Sequence, residues 1–103
     1  MPYIVMFTWF PPSIVKTVAQ RYLETLKKLP VPSIIKRLVP VATVATKDGI
    51  ESMNVDEVKK EDLGEAMEYL SKFVMEFYDI EGFRCYIKSY STISESLKYI
   101  GMS

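Results

Sequence analysis

Residues 3–10 read Tyr-Ile-Val-Met-Phe-Thr-Trp-Phe, a run broken by a single polar residue, Thr8. An uninterrupted series of β-branched and aromatic side chains, closed by Pro11-Pro12, specifies a strand. Alternation puts Tyr3, Val5, Phe7 and Trp9 on one face and Ile4, Met6, Thr8 and Phe10 on the other. Both faces are apolar. A sheet with helices on one side and water on the other should instead alternate apolar with polar. Whatever fold this chain adopts must therefore cover its first strand twice.

The remaining segments follow in an orderly series. Ser13 is placed to cap a helix running to about Leu29, where Pro30 and Pro32 forbid continuation. Its apolar stripe is Val15, Val18, Ala19, Tyr22, Leu26 and Leu29. A hairpin comes next, with Leu38–Thr46 leading out and Glu51–Val58 returning. Asp48-Gly49 accepts the positive φ angles of a two-residue type I′ loop, which sets Val44 opposite Met53 and Ala42 opposite Val55. Charged residues 59–62 lead into a second helix reaching about Tyr78, striped by Leu63, Ala66, Met67, Leu70, Val74 and Phe77. Phe83–Tyr90 is a fourth strand. Thr92-Ile-Ser-Glu95 has capping-box spacing and opens a short helix that stops at Gly101.

The order is β-α-β-β-α-β with a terminal helix. Right-handed crossovers then give a four-stranded antiparallel sheet ordered 4-1-3-2, with both long helices on one face, an α+β arrangement of ferredoxin-like topology. Residues 1–103 are expected to form one domain, and a chain of this length can bury roughly two-thirds of its unfolded surface without disulfide or metal.

With that hairpin register, Ala42, Val44, Met53 and Val55 face the helices. The opposite face holds Val39, Val41, Thr43, Ala45, Ser52, Asn54 and Asp56. The fourth strand splits into Phe83, Cys85 and Ile87 against Arg84, Tyr86, Lys88 and Tyr90. A mixed second face beside an apolar central strand calls for cover, since burying four large side chains there would contribute roughly 1.5–3 kcal/mol each. A second copy of the sheet, related by a two-fold axis, supplies it, so the expected partner is a homodimer through the sheet face.

In element order, length, apolar first strand and short terminal helix, the chain resembles the dimeric α+β barrel superfamily. The resemblance implies a ligand cleft either between sheet and helices or inside the barrel formed by two sheets. It also implies the activities found among such proteins: cofactor-independent monooxygenases, decarboxylases, dehalogenases, polyketide cyclases and haem-degrading enzymes. Many of these use a histidine, and this chain has none. Histidine-based acid–base chemistry and haem ligation by histidine are therefore excluded.

Composition excludes further classes. Thirteen basic residues balance thirteen acidic ones and the pI is about 6.3, so the basic excess of a nucleic-acid binder is missing. An RNA-recognition module shares this topology but needs an exposed aromatic strand motif that is absent here. No polybasic patch points to a membrane, and residues 3–10 are too short to span one and lack the basic lead of a signal peptide. The lone cysteine, Cys85, cannot form an internal disulfide, which fits the cytoplasm. Neither a metal-ligand set nor a glycine-rich phosphate loop is present, so no metal and no cofactor is expected.

Six residues stand out as candidate ligand contacts: Trp9, Thr43, Asn54, Asp56, Arg84 and Tyr86. Trp9, with Tyr3, Phe7, Tyr86 and Tyr90, forms either an aromatic pocket or plain core. Asn54 and Asp56 could orient a ligand or supply a base; the competing reading leaves Asp56 exposed at a strand end. Arg84, Arg37 and Lys36 suit an anion, or serve as edge charges that block aggregation. Cys85 reads as a small core residue. Three functions follow. The first is a homodimer holding a small, largely apolar molecule between sheet and helices or between paired sheets. The second is a cofactor-independent enzyme using Asp56, Tyr86 or Arg84. The third is a regulatory module of the ACT type.

Overall fold

The computed structural model describes residues 1–102. Four strands, β1 (Tyr3–Phe10), β2 (Lys36–Thr46), β3 (Gly49–Glu57) and β4 (Arg84–Tyr90), alternate with α1 (Val15–Lys28), α2 (Leu63–Met75) and α3 (Ile93–Tyr99). The strands form one antiparallel sheet in the order β2-β3-β1-β4, which is 4-1-3-2 counted from the other edge. The fold is therefore α+β, of ferredoxin-like topology.

Ile4, Met6 and Phe10 point to one side of β1 and anchor the core. Ile4 and Met6 pack with Ala66 and Leu70 of α2, and Phe10 packs with Val18 of α1 and Phe73 of α2. Both long helices thus cover the same face. Arg21 of α1 holds Asp79, beyond α2, through two hydrogen bonds of 2.6 and 3.0 Å.

The helix ends refine the sequence reading. Ser13 does not cap α1. Pro12 instead starts a 3₁₀ turn over Pro12–Ile14, in which the Ile14 N–H donates to the Pro11 carbonyl at 3.2 Å, and α1 begins at Val15 with no side-chain cap. α2 stops at Met75, and tighter turns carry the chain to Ile80 through bonds such as Phe77 N–H to Val74 O at 2.9 Å. The capping box at α3 forms as the spacing predicts: the Glu95 N–H donates to Thr92 Oγ1 at 3.1 Å, and the Thr92 N–H donates to the Glu95 carboxylate at 2.7 Å.

The hairpin differs from expectation in two ways. Thr46 pairs with Gly49, so the loop is Lys47-Asp48, and Ala42 rather than Val44 lies opposite Met53. The Thr46 hydroxyl donates to the Gly49 carbonyl at 2.8 Å and accepts from the Asp48 N–H at 3.2 Å, closing the turn one residue early. Gly49 then enters the strand at φ +144°, where a Cβ would sit 2.6 Å from the Trp9 indole. Further along, β2 carries two register irregularities, between Arg37 and Val39 and between Val39 and Ala42.

The second difference reverses the faces. Because β3 lies beside β1, its faces follow those of β1: Ser52 pairs with Thr8, Asn54 with Met6 and Asp56 with Ile4. These polar residues lie under the helices, and Val41, Thr43 and Ala45 are on the same side of the sheet, at the open edge of the space beneath them. Met53 and Val55, opposite Phe7 and Val5, lie on the outer face with Ala42. The apolar side of the hairpin is turned outward, and the semi-polar side inward.

The molecule is a slab of 48 × 32 × 19 Å. Its radius of gyration of 15.1 Å exceeds the roughly 13 Å usual for a chain of this length. The arm formed by residues 41–48, exposed throughout, contributes to that extension.

Gly49→Ala should lower stability by about 1–3 kcal/mol, because a methyl group there overlaps the indole. Urea unfolding followed by Trp9 fluorescence should show a lower midpoint and an altered native emission as the ring is displaced.

Candidate functional site

Turning the semi-polar face of β3 inward leaves the space beneath the helices incompletely filled. A cavity of about 350 Å³ lies there. Its floor is Met6, Thr8 and Phe10 of β1, Ile50, Ser52 and Asn54 of β3, and Thr43 of β2. Val18 and Tyr22 of α1 and Leu70 and Phe73 of α2 roof it. Both the size and the predominance of apolar wall suit a small organic molecule.

The walls change character along the strands. At the Phe10 end sits a ladder of aromatic rings: Phe77 and Phe83 stack at 4.9 Å, Phe73 and Phe77 at 5.9 Å, and Phe10 and Phe83 at 6.3 Å between centroids. Tyr22 meets Phe73 edge-on at 6.0 Å. In the middle, Thr8 and Ser52 share a hydrogen bond between their hydroxyls. Beyond them Asn54, only 8% exposed, faces the same space.

Arg37 closes the polar end. Its Nε and Nη2 donate to the two carboxylate oxygens of Asp56 at 2.8 and 3.1 Å, a planar fork-to-fork pair. Asp56 is fully buried, and the Arg37 side chain is 16% exposed. Burial works to lower the Arg37 pKa, but the hydrogen bonds and charge of Asp56 more than reverse it, leaving the value above its ordinary level. Close by, the Tyr69 hydroxyl donates to the Leu29 carbonyl at 2.7 Å. Burial raises the pKa of that phenol.

The six candidate residues divide between two faces. Thr43 and Asn54 line the cavity, and Asp56 lies at its end, bound to Arg37. The reading of Asp56 as an exposed strand-end residue is corrected, because the pairing of β3 with Ile4 of β1 carries it into the core. Trp9, Arg84 and Tyr86 lie on the outer face. There the Arg84 guanidinium sits 5.5 Å from the Trp9 ring centre, and Phe7 and Tyr86 stack at 5.1 Å. Asp56 is consequently separated by the sheet from Tyr86 and Arg84, and the three do not converge as one catalytic set.

Sequence reasoning weighed Arg37 as an anion site or an edge charge and did not connect it with Asp56. No regular hairpin register pairs the two; the register irregularities of β2, which no local signal marks, bring Arg37 level with Asp56. Cys85 packs under the helices against the core, and burial pushes its thiol up to about 11.

No family model matches this chain, and no curated protein matches it. Among solved structures, the designed protein Foldit4 superimposes with a TM-score of 0.52 and 14% identity, over 89% of this chain and 99% of the other. A PII-like signalling protein from Thermus thermophilus gives 0.45 and 12%, covering 93% and 95%. The apo form of a nitrogen regulatory PII-like protein from Thiomonas intermedia gives 0.42 and 9%, covering 89% and 92%. The first of these reaches the level of a shared fold.

Two outcomes check this geometry. Arg37→Met strands a buried carboxylate and should cost about 3–5 kcal/mol at neutral pH. Denaturant unfolding of the two proteins at neutral pH reads the difference. Cys85, held as a thiol well above neutral pH, should react with iodoacetamide at pH 8 far more slowly in the folded protein than in urea.

Proposed function

We propose that this chain is a small-molecule-binding domain that acts as a homodimer, holding an amphipathic ligand in the cavity between sheet and helices. One observation carries the reading. Ser52 and Asn54 occupy positions under the helices where a purely structural core would place apolar side chains, and they open onto a 350 Å³ space instead of being packed shut. The aromatic ladder takes the apolar body, Thr43 lies midway beside Ser52, and Asn54 and Arg37 face the polar group.

The outer face supports the dimer. Val44, Met53, Tyr86 and Tyr90 are 54, 38, 55 and 42% exposed, a broad apolar surface beside Phe7 and Trp9. Its charges are sorted: Glu51 and Glu57 on β3, Arg84 and Lys88 on β4, with β1 between. Glu51 and Arg84 both pair with Trp9 and so lie at one level of the sheet. A two-fold axis parallel to β1 brings β4 of one copy over β3 of the other, setting Arg84 against Glu51 and burying the apolar strip between them. The buried, unreactive thiol fits the reducing cytoplasm.

N-phenyl-1-naphthylamine, a neutral fluorescent amphiphile, should bind saturably at one molecule per chain. Val18→Phe, which fills the roof, should abolish that binding while circular dichroism stays unchanged. Met53→Lys should convert a dimer, seen by light scattering, into a monomer. Absence of saturable binding to the unaltered protein would refute the ligand-binding reading, and a monomer at micromolar concentration would refute the dimer.

A further inference from the structure

The charge state of the cavity narrows the class of ligand beyond this reading, on which the inference rests. Arg37 is the one charged side chain among the described residues that line the cavity. Its charge is already matched by Asp56, which is fully buried and spends both carboxylate oxygens on Nε and Nη2. The polar end therefore carries no net charge. An anionic headgroup arriving there would meet the guanidinium and the Asp56 carboxylate together, gaining little attraction while losing its hydration. A cationic headgroup would find Asp56 occupied and faced by Arg37. What the end does offer is hydrogen bonding: Nη1 of Arg37 takes no part in the pair, and Asn54, two residues along β3 from Asp56, lines the same space.

We propose that the cavity selects uncharged amphiphiles bearing a hydrogen-bond acceptor, such as a ketone, ester or lactone on an apolar body, and rejects carboxylates and amines of the same chain length. The ion pair is then a device for presenting guanidinium donors without presenting a charge. Asp56 sets the preference through Arg37, as a positioning residue. Removing its charge while keeping its shape should reverse the preference, because the freed guanidinium would become a carboxylate receptor.

The test is calorimetric titration of the protein at neutral pH with 2-decanone, decanoate and decylammonium. The ketone should bind about tenfold or more tightly than either ion. Asp56→Asn should raise the affinity for decanoate by a similar factor relative to the ketone, in protein shown to be folded by circular dichroism. Decanoate or decylammonium binding the unaltered protein as tightly as 2-decanone overturns the inference and leaves the cavity as a binding site. If none of the three binds, and the naphthylamine does not either, the binding reading falls and takes the inference with it. Should Asp56→Asn fail to fold, the series on the unaltered protein decides by itself.

Discussion

The pairing of β3 with β1 governs nearly everything else in this molecule. Once Asn54 lies opposite Met6, the two-residue repeat of a strand leaves no freedom: Ser52 and Asp56 go under the helices, and Met53 and Val55 go outward. A slip of one residue would bury Met53 and Val55 against Leu70 and Phe73, close the cavity and put Asp56 in water. The observed register does the opposite. It creates a largely apolar space with a few polar groups inside and an apolar surface outside. The cavity and the apolar outer sheet face are both consequences of that one alignment.

Such an alignment is held in place because its polar members are satisfied. An unpaired carboxylate at the position of Asp56 would cost several kcal/mol, of order the whole stability of a small domain. The bidentate bond to Arg37 removes that cost and fixes β2 against β3 where the register of β2 becomes irregular. Thr8 and Ser52 satisfy one another in the same way. The core divides around these groups. One apolar cluster centres on Ile4, Ala66 and Leu70, the other on Phe10, Phe73 and Phe77.

The elements were legible because their signals are local. The proline pair after Phe10, the stripe Leu63–Ala66–Leu70–Phe77 and the Thr92–Glu95 box each mark an element without reference to distant residues. The faces of the hairpin were not legible in this way. Asp48-Gly49 reads as the loop, yet the Thr46 hydroxyl and the place of Gly49 against Trp9 move the turn to Lys47-Asp48. Assigning Met53 and Val55 to the helices follows the rule that apolar residues go inward. That rule presumes one inside, and here two surfaces compete for apolar residues. Thr43 and Asn54 were picked out without the cavity that joins them, because the cavity depends on packing between α1, α2 and a sheet face that no single segment encodes.

The irregular edge strand has a consequence for behaviour in concentrated solution. An exposed strand with a regular row of N–H and C=O groups invites another chain to add to the sheet, and repetition of that event builds fibres. β2 interrupts the row three times: Pro40 has no N–H, and the two register irregularities on either side of Val39 put neighbouring donors out of step. Association through the β2 edge is discouraged while the flat of the sheet stays open. In the proposed dimer the copies meet face to face, where a two-fold axis uses up the sticky surface on both partners and growth ends.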